Sequence, residues 1–75
     1  MNDEIKQVMA EVFALQTTDI ADDIKMGSII KWDSLNHLNL VITLQEKYNI
    51  SFEPEEMSEM TSIAKIAQII LTKQK

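Results

Sequence analysis

The sequence predicts an all-α fold: a small four-helix bundle of three main helices and one short helix, with a long loop between helices one and two. Three observations carry this. Apolar residues recur at i, i+3, i+4 spacing in three separate stretches. One glycine and one proline leave few tight turns, which argues against a β-barrel or sandwich. The alternating segment Ile50 to Phe52 has no second strand to pair with and reads as an extended connection. At 75 residues the chain is one small domain, spanning 1–75.

Ile5, Val8, Met9, Val12 and Phe13 form one stripe on the first helix. Asn2 suits its N-cap, and Asp3 and Glu4 suit the positive end of its dipole. The pattern weakens at Gln16, which places the end near Leu15. Residues 17–33 have no clear period, and loops this long are uncommon in compact domains unless they do something. Ile20, Ile24, Met26, Ile29, Ile30 and Trp32 read as pins that hold this loop over the helices. Asp19, Asp22, Asp23, Lys25 and Lys31 face water, and Gly27 is the natural place for positive φ.

Asp33 is a good N-cap for the second helix, directly before Ser34 and Leu35. Leu35, Leu38, Val41, Ile42 and Tyr48 keep helical spacing, while Leu40 and Leu44 widen the apolar arc. Such a helix is either central or uses a second apolar face. Asn49 suits its C-terminal cap. Glu53-Pro54-Glu55-Glu56 starts a short helix, because proline at the first position lacks only a donor that would be orphaned anyway. Thr61-Ser62 caps the last helix, where Ile63, Ile66, Ala67 and Ile70 share a face with Ile69 and Leu71 beside it; Gln74-Lys75 frays.

Twelve acidic residues against seven basic ones, all lysine, give a net charge of −5. A chain without a basic surface gains nothing from counterion release, which excludes nucleic acid as a partner and favours basic partners. With no cysteine, disulfides, thiolate metal sites and cysteine nucleophiles are excluded. The longest apolar stretch, Leu38 to Leu44, is far short of the roughly twenty residues a membrane span needs. The acidic N-terminus is unlike a secretory signal, so a cytoplasmic, monomeric protein is expected.

Three constellations bear on chemistry. Ser34 and His37 stand at i, i+3 on one helical face, where a nucleophile–base contact is geometrically possible. A hydrolase also needs an orienting carboxylate, an oxyanion hole and a cleft, for which so short a chain has little room, and His37 reads as a half-exposed surface residue. Asp19, Asp22 and Asp23 lack the alternating spacing of a calcium loop and read as a solvated acidic loop, so no metal site is expected, with loose divalent-cation binding as the alternative. The third is Asp33-Ser34-Leu35: a serine in the first turn of a capped helix is exposed by construction. A phosphate attached there meets free backbone N–H groups and the positive end of the dipole.

The stretch Trp32-Asp33-Ser34-Leu35-Asn36-His37-Leu38-Asn39-Leu40-Val41 resembles the phosphopantetheine attachment motif of acyl carrier proteins. The resemblance runs over essentially the whole chain. It continues through Glu46, Tyr48 and Ile50, the short helix Pro54-Glu55-Glu56-Met57, and Met60-Thr61-Ser62-Ile63.

The resemblance implies that a phosphopantetheinyl transferase attaches 4'-phosphopantetheine from coenzyme A to Ser34, and that Asp33 and Leu35 help it recognise the serine. The thiol of the arm carries acyl groups as thioesters, and the protein itself catalyses nothing. Leu38 and Ile42 then form an exposed docking patch near Ser34, with Asp33, Glu46, Glu55 and Glu56 as acidic surroundings. The expected partners are the transferase and acyl-loading ligases, acyltransferases or synthases with basic docking surfaces. The sequence departs from fatty-acid-synthesis carriers in offering Asn36, His37 and Asn39 where those usually have acidic residues, and Trp32 where they have a small one. Both departures resemble stand-alone carriers of dedicated pathways. An aminoacyl or peptidyl carrier, or an unmodified helical interaction module, are the alternatives.

Overall fold

The computed structural model describes residues 2–74. Among them are four α-helices: α1 (Asn2–Phe13), α2 (Ser34–Tyr48), α3 (Pro54–Glu59) and α4 (Ile63–Lys73). The all-α architecture, with three main helices and one short one, is the one expected from the sequence. Helix α1 packs against α2 and α4, and α3 against α4.

The stripe on α1 faces the core, with Ile5, Val8, Met9 and Phe13 buried. Two details of α1 differ from expectation. Asn2 is the first helical residue rather than the cap, and the position before it lies outside the described residues. The helix ends at Phe13 rather than near Leu15, because Ala14 turns into the left-handed region (φ 57°). That turn lets the Leu15 N–H donate to the Ala10 carbonyl at 2.9 Å, which satisfies an orphaned acceptor at the helix end. Helix α2 ends in the same way: Asn49 is left-handed (φ 53°) and the Ile50 N–H donates to Gln45 O at 3.1 Å.

The connection over residues 14–33 contains a single 3-10 turn, Thr17–Asp19, and is stitched to the segment before α4. Met26 N–H donates to Thr61 O at 2.8 Å, and Lys25 pairs with Ser62 in an isolated antiparallel bridge. Gly27 has φ 89°, as expected, in a turn closed by Ser28 N–H on Lys25 O at 2.9 Å. Ile20, Ile24 and Trp32 are buried, and Met26 and Ile29 pack against the core. Ile30 is the exception among the expected pins, at 95% exposed. The turn that brings Trp32 N–H to Ile29 O (3.2 Å) points its two ends inward and leaves Ile30 on the outer corner.

Helix α3 opens with Glu53 as N-cap and Pro54 in the first turn; Glu56 returns its carboxylate to the Glu53 N–H at 2.7 Å. Ser62 caps α4, accepting from Lys65 N–H at 3.3 Å, and Ile63, Ile66 and Ile70 are buried. Gln74 is the C-cap of α4, and the fraying expected at Lys75 falls outside the described residues. Tyr48 keeps its hydroxyl buried without a hydrogen-bond partner among the described residues, and burial, aided by nearby Glu4, pushes its phenol pKa up.

Candidate functional site at the start of helix α2

Ser34 is the first residue of α2 and is exposed. Asp33 before it is extended (φ −97°, ψ −176°), and its side chain accepts from Asn36 N–H at 2.9 Å. The Asp33 carbonyl accepts the first intrahelical bond, from His37 N–H at 2.8 Å. The N–H groups of a first helical turn have no acceptors inside the helix. Asn36 directs its own to Asp33, leaving those of Ser34 and Leu35 at the open end of the dipole.

The segment just before Ser34 is held by side chains just after it. Asn36 Nδ2 donates to Lys31 O at 2.7 Å. Trp32 Nε1–H donates to His37 Nδ1 at 3.0 Å, so the two rings meet edge to edge with centroids 6.2 Å apart. Trp32 is itself fixed by the core, 1% exposed and with its ring centroid 5.6 Å from that of Phe13. His37 Nε2 lies 2.9 Å from the Met57 carbonyl of α3. An indole N–H only donates and a carbonyl only accepts, so the imidazole carries its hydrogen on Nε2. Sequence reasoning missed these tethers, although its reading of His37 as half-exposed holds. His37 is half-buried, and both of its ring nitrogens are engaged away from Ser34. The Ser34–His37 pair allowed by i, i+3 spacing therefore has no free nitrogen to act as a base.

Beyond the serine, α2 divides its apolar residues between two faces. Leu40, Val41 and Leu44 are buried. Leu35, Leu38 and Ile42 are 69%, 50% and 43% exposed and succeed one another along an outer stripe. Glu46 is exposed further along α2, and Glu55 is exposed on α3. Glu56 is half-buried and bonded to Lys73 at 2.7 Å. The Lys73 ammonium, followed by the Glu53 N–H, holds its carboxyl below the ordinary carboxylate value.

The three loop aspartates have local tasks or face water. Asp19 accepts from Gln16 N–H at 3.1 Å, Asp22 pairs with Lys6, and Asp23 is exposed. No group of three or more histidine, cysteine, aspartate or glutamate side chains suited to a metal ion occurs among the described residues. A groove between α3 and α4 is lined by Glu56, Glu59, Lys65, Gln68, Ile69 and Thr72, away from Ser34. No described helix is long and apolar enough to cross a membrane.

The family described as "Phosphopantetheine attachment site" matches residues 3–70 of this sequence, from the first turn of α1 almost to the end of α4. The chain belongs to the phosphopantetheine-attachment family. It is similar to an acyl carrier protein of Wolinella succinogenes, 29% identical over 70 residues that cover 93% of this chain and 92% of the relative. An acyl carrier protein of Chlamydia caviae is 20% identical over 74 residues, covering 99% and 96%. A Streptomyces avermitilis protein named polyketide-8 synthase acyl carrier protein 2 is 21% identical over 71 residues, covering 95% and 82%.

The start of α2 suits the covalent group that gives the family its name. A phosphodiester on an exposed hydroxyl in a first helical turn stays in water and lies at the positive end of the dipole. The competing charge nearest in sequence, the Asp33 carboxylate, is directed at the Asn36 N–H.

Proposed function

We propose that this protein is an acyl carrier whose Ser34 Oγ bears 4'-phosphopantetheine. The observation that carries the reading is an exposed serine at a capped, tethered helix start, in a chain matched by the attachment family over residues 3–70. In the loading step a phosphopantetheinyl transferase brings coenzyme A to Ser34. The hydroxyl oxygen attacks the phosphorus on the pantetheine side of the diphosphate, and a new P–O bond forms as the diphosphate P–O bond breaks. Adenosine 3',5'-bisphosphate leaves, and the hydroxyl proton passes to a base of the transferase. The bound arm supplies a terminal thiol, which carries acyl groups as thioesters.

The chain's own part is presentation. Asp33 fixes the helix start, and Leu35 offers an exposed apolar contact beside the serine. Leu38 and Ile42 extend that contact, and Glu46 and Glu55 give it a negative rim that attracts basic partner surfaces. Glu56, the third acidic residue of the docking set, acts with its charge shared with Lys73. The engagement of both His37 nitrogens supports a role as carrier rather than catalyst. Asn36, His37 and Asn39 in place of acids after the serine support service in a dedicated biosynthetic pathway. We place the protein in the cytoplasm, as a single carrier domain over residues 1–75 working as a monomer.

The test is intact mass after incubation with a promiscuous phosphopantetheinyl transferase, coenzyme A and magnesium. The expected result is the gain of one phosphopantetheine, absent in Ser34→Ala. Unchanged mass of the folded protein, with this transferase and with one from its own source, overturns the reading in favour of an unmodified interaction module.

A further inference from the structure

Helix α3 is only six residues long. A helix of that length has no stability of its own and takes its position from its contacts. Met57 packs it against the core, and among the described residues two side chains of other helices bond to it. Lys73 of α4 takes Glu56 at 2.7 Å, and His37 of α2 takes the Met57 carbonyl at 2.9 Å. The second contact is anchored further back: His37 accepts from Trp32, and Trp32 is wedged against Phe13 of α1. A chain of contacts therefore runs from the buried core, through the ring three residues beyond Ser34, to the backbone of the acidic helix.

We propose that His37 is a positioning residue that fixes α3 relative to Ser34, so that an enzyme acting on the serine reads the outer stripe of α2 and the acidic face of α3 as one surface. This rests on the carrier reading above. On α3 and its cap, Glu53, Glu55 and Glu59 are exposed, while Leu35, Leu38 and Ile42 are exposed on α2. A basic partner gains from both surfaces together only when their spacing is held before encounter, since an unfixed helix must be ordered on binding. The relay makes no contact with the reacting oxygen, so its effect falls on recognition and not on the chemical step.

Two conservative substitutions separate the halves of the relay. Asparagine places an acceptor near the position of Nδ1, keeping the Trp32 bond and releasing Met57. Glutamine places a donor near the position of Nε2, keeping Met57 and releasing Trp32. With coenzyme A saturating, His37→Asn is expected to raise the transferase KM for this protein about fivefold, the equivalent of one ordinary hydrogen bond, with kcat unchanged. His37→Gln is expected to stay within about twofold of the parent protein, since it keeps the α3 bond. Equal KM values for all three folded proteins, or a loss confined to kcat, overturn the proposal.

Should His37→Asn fail to fold, His37→Phe keeps an aromatic ring at this position and removes the Met57 bond; an unchanged KM there is equally fatal. Nitrogen-15 NMR of the unmodified parent protein tests the geometry without a partner. The Nε2–H tautomer is expected, and an Nδ1–H tautomer overturns the relay. A parent protein that the transferase leaves unmodified ends the carrier reading and this inference with it, an outcome distinct from modification at an unaltered KM.

Discussion

The starts of α2 and α4 are built alike. Each has an extended N-cap residue whose side chain accepts the N–H three positions on, Asp33 from Asn36 at 2.9 Å and Ser62 from Lys65 at 3.3 Å. The residues after the caps differ. Ile63, first in α4, is 1% exposed and part of the core, whereas α2 begins with exposed Ser34 and Leu35. The segments before the caps differ too. Ser62 forms a backbone bridge with Lys25, so the start of α4 also organises the long connection. Lys31 and Trp32 before Asp33 are held by Asn36 and His37, side chains of the helix they precede. A cap satisfies backbone donors and is indifferent to use. Burial makes one start a structural joint, and tethering without burial makes the other a presented site.

Exchanging side chains for alanine just after each cap gives the largest expected contrast. Ile63→Ala removes a fully buried side chain, and such deletions destabilise by about 2–5 kcal/mol. Domains of this size have only a few kcal/mol in hand, so urea denaturation should find most of the stability gone. Leu35→Ala alters an exposed residue and should shift the urea midpoint little, within about 0.5 kcal/mol. It should instead slow loading of Ser34 by a transferase. Ordinary loading of Leu35→Ala would show that recognition passes over the exposed first turn.

The caps themselves give a smaller and more even effect. Asp33→Ala and Ser62→Ala should each destabilise by about 1 kcal/mol, with Asp33 the larger because its charge also suits the dipole. Thermal melts read this directly. The functional consequence should split, since Ser62→Ala leaves Ser34 loading intact at temperatures where the fold is retained, and Asp33→Ala does not. Equal loading of both would reduce Asp33 to an ordinary cap.

How much of this was legible in the sequence depends on the range of the interactions. Asp33, Asn49, Pro54 and Ser62 were readable because a cap is a local event, decided within about four residues. The two faces of α2 were readable from an apolar arc wider than one stripe. The connection before α2 was readable only in part, because without a period nothing distinguishes a buried pin such as Trp32 from the outer corner at Ile30. The end of α1 was misplaced because alanine gives no sign that it will adopt a left-handed conformation. The His37 relay was not legible at all. Its partners lie five residues back across a helix start and twenty residues ahead on another helix, and the spacing visible in sequence drew attention to Ser34 instead.

The smallest expected effect concerns the far end of α4. There Lys73 holds Glu56 by a charge-assisted bond, in contrast to the neutral imidazole contact that ties α3 to α2. The two ties should separate by pH and salt. Lys73 holds the Glu56 carboxyl below its ordinary value of 4.5, so near and below that pH the unfolded chain binds more protons at this position than the folded one. The contribution of the pair is therefore present above the ordinary carboxylate value and is lost as pH falls through the lowered folded value. Glu56→Gln should lower the melting temperature slightly at neutral pH, and the difference from the parent should shrink as the buffer is taken below pH 4.5. Added salt at neutral pH should shrink it as well, because the pair is partly exposed and screened. His37→Gln keeps a neutral donor on Met57, and its melting difference should be indifferent to salt. A salt-sensitive difference at His37, or a salt-insensitive one at Glu56, would reverse the assignment of which tie to α3 is ionic in effect.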